Sequence, residues 1–202
     1  MRLTASGISC VRGGRALYDG LSFSLASGEL LLLTGPNGSG KTSLLRQIAG
    51  LLPLDEGKIV SEGFERADDT HFVGHAAAIK DALTVSENLT FWSDLYGRAN
   101  ASPEAALAKL SLLPLASLPA RVLSAGQRRR LSLARLVAIR RSLWLLDEPD
   151  TALDAKGRET LCDIIAAHRA EGGMVVLASN GTLNLAPSRL LDLELDAKAA
   201  AA

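Results

Sequence analysis

Three short runs of the chain are apolar at every position. They are Leu30 to Leu33, Leu143 to Leu146 and Met174 to Ala178. Runs of this length without a polar residue are typical of strands that are buried on both faces of a parallel sheet. Stretches of helical periodicity lie between them, and strands that alternate with helices indicate an α/β fold. The pattern therefore predicts a mostly parallel sheet.

Helices are predicted where apolar residues recur three or four positions apart. After the first apolar run, residues 43–48 place Leu44, Leu45 and Ile48 on one face. Two further helices are predicted over residues 128–139 and 155–169. Each follows or precedes one of the apolar strands, as the α/β pattern requires.

The first 28 residues favour an antiparallel edge instead. Leu3 to Ser9 and Leu17 to Leu25 are predicted to pair as strands around a turn at residues 11–14, with half-buried alternation at Leu21, Phe23 and Leu25. Further short strands are predicted at Lys58 to Val60 and His71 to Gly74. A last one is predicted from the alternation of Leu191, Leu193 and Leu195.

The composition changes near residue 76. A capping box at residues 84–87 precedes aromatic and leucine residues at helical spacing, and Ser102-Pro103 is a good start for a second helix to about Leu112. The aromatic side chains are interpreted as core. We therefore expect a single domain whose α/β core, residues 1–75 and 123–196, is interrupted by a helical subdomain, residues 76–122. Residues 197–202 are too short and featureless to pack and are expected to be a tail.

Composition narrows the classes of function. The 202 residues are 48% hydrophobic, and basic and acidic residues balance at 22 each, so no net charge attracts nucleic acid. No apolar run approaches the length of a membrane span, and the first residues lack the apolar core of a signal peptide. Cys10 and Cys162 are far apart, which suits buried thiols in a reducing compartment. These features indicate a cytoplasmic protein.

The most informative motif follows the first apolar strand and opens a predicted helix. It reads Gly35-Pro36-Asn37-Gly38-Ser39-Gly40-Lys41-Thr42, the phosphate-binding pattern G-x-x-x-x-G-K-T, and continues with Ser43. Free N–H groups at a helix start favour an anion. In this pattern the lysine reaches the β- and γ-phosphates of a nucleotide and the hydroxyl of Thr42 holds Mg²⁺.

The second apolar strand ends in two carboxylates, Asp147 and Glu148. Ligands of α/β sheets bind at the carboxyl ends of strands. There, Asp147 is predicted to hold Mg²⁺ and Glu148 to orient an attacking water. The alternative, that these acids cap a following helix, fits Asp150 or Asp154 better.

Two further motifs carry a resemblance to the ATPases of ABC transporters. They are Leu123-Ser124-Ala125-Gly126-Gln127, similar to the signature sequence with Ala125 in place of a glycine, and Ala152-Leu153-Asp154, similar to the D-loop. The resemblance implies a P-loop ATPase fold that binds ATP with Mg²⁺. It also implies a head-to-tail dimer, in which Ser124, Ala125, Gly126, Gln127 and Asp154 face ATP held by the second copy.

A narrower resemblance is to the ATPase subunit of the haem exporter of cytochrome c maturation (CcmA-like). It rests on residues 73–80, on Leu83-Thr84-Val85 and Glu87-Asn88-Leu89, and on Cys10-Val11-Arg12. It implies hydrolysis of ATP that powers a haem-handling complex, integral membrane partners, and a peripheral position on the cytoplasmic face of the bacterial inner membrane. The same ATPase could instead serve another small cargo.

Besides Ala125, the chain departs from the family at three positions. His75 stands where most members have a glutamine that contacts Mg²⁺, and Asn180 stands where most have a histidine that contacts the γ-phosphate. Arg12 stands where an aromatic residue stacks on adenine, and a guanidinium can also stack there. These changes leave open a second function, an ATP-gated dimerising module with little turnover. A nucleic-acid ATPase is disfavoured, because the chain has neither a second cassette nor a basic surplus.

One basic run, Arg128 to Arg130, lies at the start of the predicted helix 128–139. Cations are unfavourable at a helix N-terminus. We interpret the run as solvated, although a nearby phosphate would offset the cost.

Overall fold

The computed structural model describes residues 1–96, 102–179 and 183–193. Its strands are β1 (Arg2–Arg12), β2 (Arg15–Ala26), β3 (Leu30–Thr34), β4 (Glu56–Glu62), β5 (Thr70–Val73), β6 (Leu143–Asp147), β7 (Met174–Ala178) and β8 (Arg189–Asp192). Its α-helices are α1 (Lys41–Ile48), α2 (Val85–Tyr96), α3 (Pro103–Lys109), α4 (Ala125–Ala138) and α5 (Ala155–Ala170). Two 3₁₀ turns lie at Leu113–Leu115 and Ala120–Val122.

The apolar strands form a five-stranded parallel sheet in the order β5-β6-β7-β3-β8. Successive residues point to opposite faces, so Leu30 and Val175 join one hydrophobic cluster while Leu31 and Val176 join the other. Because both faces are covered, neither face tolerates polar residues, which is why these runs are wholly apolar. The predicted α/β fold with a mostly parallel sheet is confirmed.

The N-terminal edge is a separate antiparallel sheet in the order β2-β1-β4. Its strands are longer than predicted, and the turn between β1 and β2 narrows to Gly13-Gly14. Leu21 and Leu25 are buried, as the alternation along β2 predicts. This sheet covers α1 and the neighbouring face of the parallel sheet, because its side chains share one cluster with Leu44 and Leu45.

Helices α2 and α3 pack against α4. Helix α3 ends at Lys109, earlier than predicted, because Ser111 adopts a left-handed φ of 57° that a helix cannot include. The interpretation of the aromatic residues as core is wrong for Tyr96, which is 38% exposed and lies against the Arg141 guanidinium. The subdomain boundaries stay a prediction, and residues 194–202, with Leu195 and the expected tail, lie outside the described residues.

Within the described ranges, none of the helices combines the length and the apolarity that a membrane span requires.

His71 is a buried titratable group in β5, and its ring Nε2 lies 3.1 Å from the carbonyl oxygen of Ile139. Burial lowers the pKa of His71 to about 3. The hydrogen bond with the Ile139 carbonyl opposes this shift, and the charges of Arg135 and Arg141 add to it. In the unfolded chain His71 takes up a proton near pH 6.5, whereas in the folded chain it does so only near its lowered pKa. The free energy of unfolding therefore falls as the pH is lowered from about 6.5 towards that lowered pKa.

We therefore expect His71 to remove about 2 kcal/mol of stability between pH 7 and pH 5. Urea unfolding at the two pH values measures this loss, and the loss should shrink by that amount in His71→Phe. His75→Gln, at an exposed position, is the control for the removal of a histidine. Equal pH dependence in His71→Phe and the parent would contradict the assignment.

Candidate active site

The glycine-rich motif forms the loop between β3 and α1, as its sequence predicts. Gly40 ends the loop with a left-handed φ of 106°. A Cβ at this position would lie 3.1 Å from Leu17 Cβ and 3.1 Å from the ring of Tyr18, which is tighter than most real contacts. Only glycine lets the loop close over β2 here without displacing either side chain.

Lys41 is the first residue of α1 and is 6% exposed. Its Nζ donates hydrogen bonds to the carbonyl oxygens of Gly35 at 2.7 Å and Pro36 at 3.1 Å. The ammonium group thus lies inside the curve of the loop, held there by the loop itself. An ammonium has three donors, so one remains for a phosphate oxygen.

Thr42 and Asp147 are 105 residues apart in sequence, yet the Thr42 hydroxyl donates to Asp147 Oδ2 at 2.9 Å. Asp147 is the last residue of β6 and is 6% exposed. The loop and the acidic strand end, which the sequence presents separately, therefore meet at one edge of the sheet. The hydroxyl and the carboxylate are oxygen ligands of the kind that Mg²⁺ prefers.

Glu148 follows Asp147 with a left-handed φ of 46°, a backbone conformation that costs about 1 kcal/mol for a non-glycine residue. Its N–H donates to the carbonyl oxygen of Ala178 at 2.9 Å. Its side chain lines an open cavity of about 390 Å³. The residues lining this cavity are Leu17, Asn37, Gly38, Gly40, Lys41, Thr42, Ser43 and Glu148.

Three buried hydroxyls near this edge lack hydrogen-bond partners within the part of the chain that the structure describes. They belong to Thr34 at the end of β3, Ser39 in the loop and Ser179 after β7. Buried polar groups without partners are rare, and they point to an occupant that supplies the missing bonds. In the described residues, no group of three or more His, Cys, Asp or Glu forms a metal site by itself. A cation here would need further ligands, such as phosphate oxygens.

The signature-like motif begins α4. Ser124 is the N-cap, its hydroxyl accepts from Gln127 N–H at 3.3 Å, and the Gln127 side chain accepts from Ser124 N–H at 2.8 Å. A Cβ on Gly126 would lie 2.9 Å from the carbonyl oxygen of Ala152, so a glycine is required for α4 to approach the D-loop-like segment. This helix start is therefore packed against residues 150–154.

A second cavity, of about 370 Å³, lies beside this helix start. Its lining residues are His75, Ala77, Ala125, Arg128, Arg129, Thr151 and Ala152. None of them lines the cavity of the glycine-rich loop. The structure thus places the predicted site residues in two groups, and within one chain His75 lies with the signature motif rather than with Thr42 and Asp147.

Two other predicted residues lie in different surroundings. Asp154 is the N-cap of α5, with Oδ1 accepting from Gly157 N–H at 2.8 Å. Arg12 lies at the end of β1, where its guanidinium bonds the Val11 carbonyl and lies 3.7 Å from Asp55. Arg12 does not line the cavity, and Leu17 of β2 does. Asn180 lies outside the described residues.

The sequence analysis did not assign two residues, Leu17 and Arg129, to the site. Leu17 was missed because its place depends on how β2 crosses the loop. Arg129 was interpreted as solvated, which is wrong: it is 6% exposed, because its guanidinium turns inward to backbone carbonyls. The sequence does contain a signal for the burial of Arg129. It stands four residues before Leu133, a buried residue, and therefore lies on the same apolar face of α4.

Comparisons with known proteins agree with this geometry. Residues 18–151 match the family model described as ABC transporter. A solved ATP-binding protein of an ABC transporter from Pyrococcus furiosus has the same fold, with a TM-score of 0.84 at 24% identity, covering 96% of this chain and 98% of that one.

Curated relatives match more closely in sequence. The protein named cytochrome c biogenesis ATP-binding export protein CcmA from Nitrobacter winogradskyi is 48% identical over 194 residues, which cover 94% of this chain and 97% of that protein. The protein of the same name from Rhodopseudomonas palustris is 50% identical with the same coverage. The protein of that name from Paramagnetospirillum magneticum is 47% identical, and the match covers 95% of this chain and 93% of that protein. The chain belongs to the ABC transporter family, as one of its nucleotide-binding ATPases.

Proposed function

We propose that this chain is the ATP-hydrolysing subunit of a membrane complex that handles haem for cytochrome c biogenesis. Relatives near 48% identity, each named as an ATP-binding export protein of cytochrome c biogenesis, support this assignment. The similarity extends over almost the whole of both chains. Haem as the cargo is part of the proposal, because those names state export without the cargo.

The observation that carries the ATPase proposal is the 2.9 Å contact between Thr42 and Asp147, with Glu148 lining the adjacent cavity. Residues 35–43 bind the phosphates, with Lys41 on the β- and γ-phosphates. Thr42 and Asp147 hold Mg²⁺, which when bound neutralises charge on the phosphates. Glu148 accepts the proton of the attacking water, and its placement next to Asp147 fits a general base.

A second copy of the chain completes the site. In this dimer the segment from Ser124 to Gln127, together with Asp154, faces the nucleotide of the opposite copy. Asn180 is proposed to contact the γ-phosphate. His75 would contact Mg²⁺ and relay the state of the nucleotide to the membrane partner. The two separate cavities within one chain support this arrangement, since the signature residues do not line the cavity of their own loop. Arg12 is proposed to reach adenine only if its contact with Asp55 opens.

The proposed partners are integral membrane subunits, which hold the chain on the cytoplasmic face of the inner membrane. A tagged copy, expressed in a bacterium that makes cytochrome c, should retain untagged membrane proteins and haem on purification. The purified complex should release phosphate from ATP. A complex with ATPase activity but no haem would favour a transporter of another small cargo. ATP-dependent dimers without phosphate release would favour the nucleotide-gated binding module.

A further inference from the structure

Arg129 forms the densest set of side-chain hydrogen bonds near the site. Its Nε donates to the carbonyl oxygen of Pro149 at 3.0 Å and its Nη1 to that of Gly74 at 2.8 Å. Its Nη2 donates to the carbonyl oxygens of Asp147 at 3.0 Å and Glu148 at 2.7 Å. A guanidinium is planar and offers donors in fixed directions, so these four bonds fix the path of the backbone that supplies the acceptors.

Three of the four acceptors belong to consecutive residues at the carboxyl end of β6. Glu148, the middle one, has the left-handed φ of 46°. A strained residue keeps such a conformation only when its neighbours determine it. Here both peptide groups of Glu148 are held, its N–H by the Ala178 carbonyl at 2.9 Å and its carbonyl by Arg129. The backbone direction on either side of Glu148 sets where its carboxylate points.

Arg129 also connects segments that the sequence keeps apart. It lies in the first turns of α4, two residues after Gln127 of the signature-like motif. Its Nη1 contact is to Gly74, the residue before His75. One buried side chain therefore joins the start of α4, the end of β5 and the end of β6. Burial lowers the pKa of this guanidinium, while Asp147, Asp150 and Glu148 oppose that shift.

We propose that Arg129 is a positioning residue that holds the Glu148 backbone in the conformation needed for hydrolysis and ties it to the start of α4. This inference rests on the proposed ATPase function. It predicts that a change at Arg129 weakens the chemical step more than nucleotide binding, because its four hydrogen bonds go to residues 74 and 147–149 and not to residues 35–43.

The chain offers a matched control in Arg169. Its guanidinium likewise bonds backbone and hydroxyl oxygens, those of Gly28 at 3.0 Å, Ala186 at 3.0 Å and Ser188 at 3.1 Å. None of these residues lines the phosphate cavity. Arg129→Lys and Arg169→Lys both keep the charge and remove the planar fork. They separate a structural role from a positioning role.

In the full-length protein with its membrane partners, Arg129→Lys should lower kcat for phosphate release by about tenfold or more. We expect KM for ATP to change by less than about threefold. Arg169→Lys should keep kcat within about twofold. In a Glu148→Gln background, Arg129→Lys should add little further loss, because its effect passes through Glu148. Equal effects of the two lysine variants on kcat, or a full additional loss in that background, would overturn the inference.

A second measurement needs no activity. Amide hydrogen exchange in residues 147–150 of the nucleotide-free chain should become faster in Arg129→Lys and stay unchanged in Arg169→Lys. Unchanged exchange would overturn the inference even if the parent hydrolyses ATP. A parent complex that binds ATP but does not release phosphate would instead refute the proposed function. If Arg129→Lys does not fold, Arg129→Gln replaces it, and failure of both to fold would make Arg129 a core residue and overturn the assignment.

Discussion

Replacement of Glu148 by Gln is expected to lower the rate of ATP hydrolysis by about 10²- to 10⁴-fold. Glutamine keeps the shape of the side chain but cannot accept a proton from water. Glu148 lines the cavity beside Lys41 and Thr42, and its backbone N–H is held by the Ala178 carbonyl at 2.9 Å. The substitution therefore removes the base without moving the loop that binds phosphate. Phosphate release by the purified complex measures the loss, and equilibrium binding of ATP should change by less than about threefold.

Glu159→Gln is a matched control for this experiment. Glu159 is exposed on α5, and it does not line the phosphate cavity. The same change of charge there should leave hydrolysis within about twofold of the parent. If Glu148→Gln hydrolyses ATP as fast as Glu159→Gln, Glu148 is not the base. A variant that binds ATP, forms the dimer and does not release phosphate would agree with the proposal.

Replacement of Gly57 by Ala should produce a large loss of stability. Gly57 lies in β4 with a left-handed φ of 80°, and a Cβ there would lie 2.3 Å from the carbonyl oxygen of Gly7 and 2.6 Å from the nitrogen of Ile8. These are backbone atoms of β1, so they cannot move aside without opening the pairing of β1 with β4. We expect a loss of about 3 kcal/mol or more in the free energy of unfolding.

Gly50→Ala measures the backbone part of this effect, so the difference between the two variants gives the steric part. Gly50 has a similar φ of 74°, but apart from its chain neighbours no heavy atom of the described residues lies within 4 Å of the Cβ that alanine would add. Its cost is therefore the backbone term alone, about 1 kcal/mol. Denaturant unfolding of both variants gives the difference. Equal losses at Gly50 and Gly57 would show that β1 and β4 do not approach as closely as the structure has them.

The amino-acid sequence by itself determined the kind of fold and the phosphate-binding loop. Wholly apolar runs such as Leu30 to Leu33 report burial on both faces, and the spacing of Gly35, Gly40 and Lys41 reports a loop before a helix. These signals are local, because strand burial and loop geometry depend on residues that are near one another in the chain. The resemblance to ABC ATPases likewise rested on short motifs, and the comparisons confirm it.

The tertiary structure decided which of these motifs meet. The contact of Thr42 with Asp147 spans 105 residues and exists only because β6 and the loop after β3 end at the same edge of the sheet. Leu17 lines the cavity because β2 crosses beside the glycine-rich loop. Arg129 is buried because the start of α4 lies against the end of β6. Long-range packing sets these positions. The helical spacing of Arg129 and Leu133 indicates that both face the core, but it does not encode which strand end Arg129 meets.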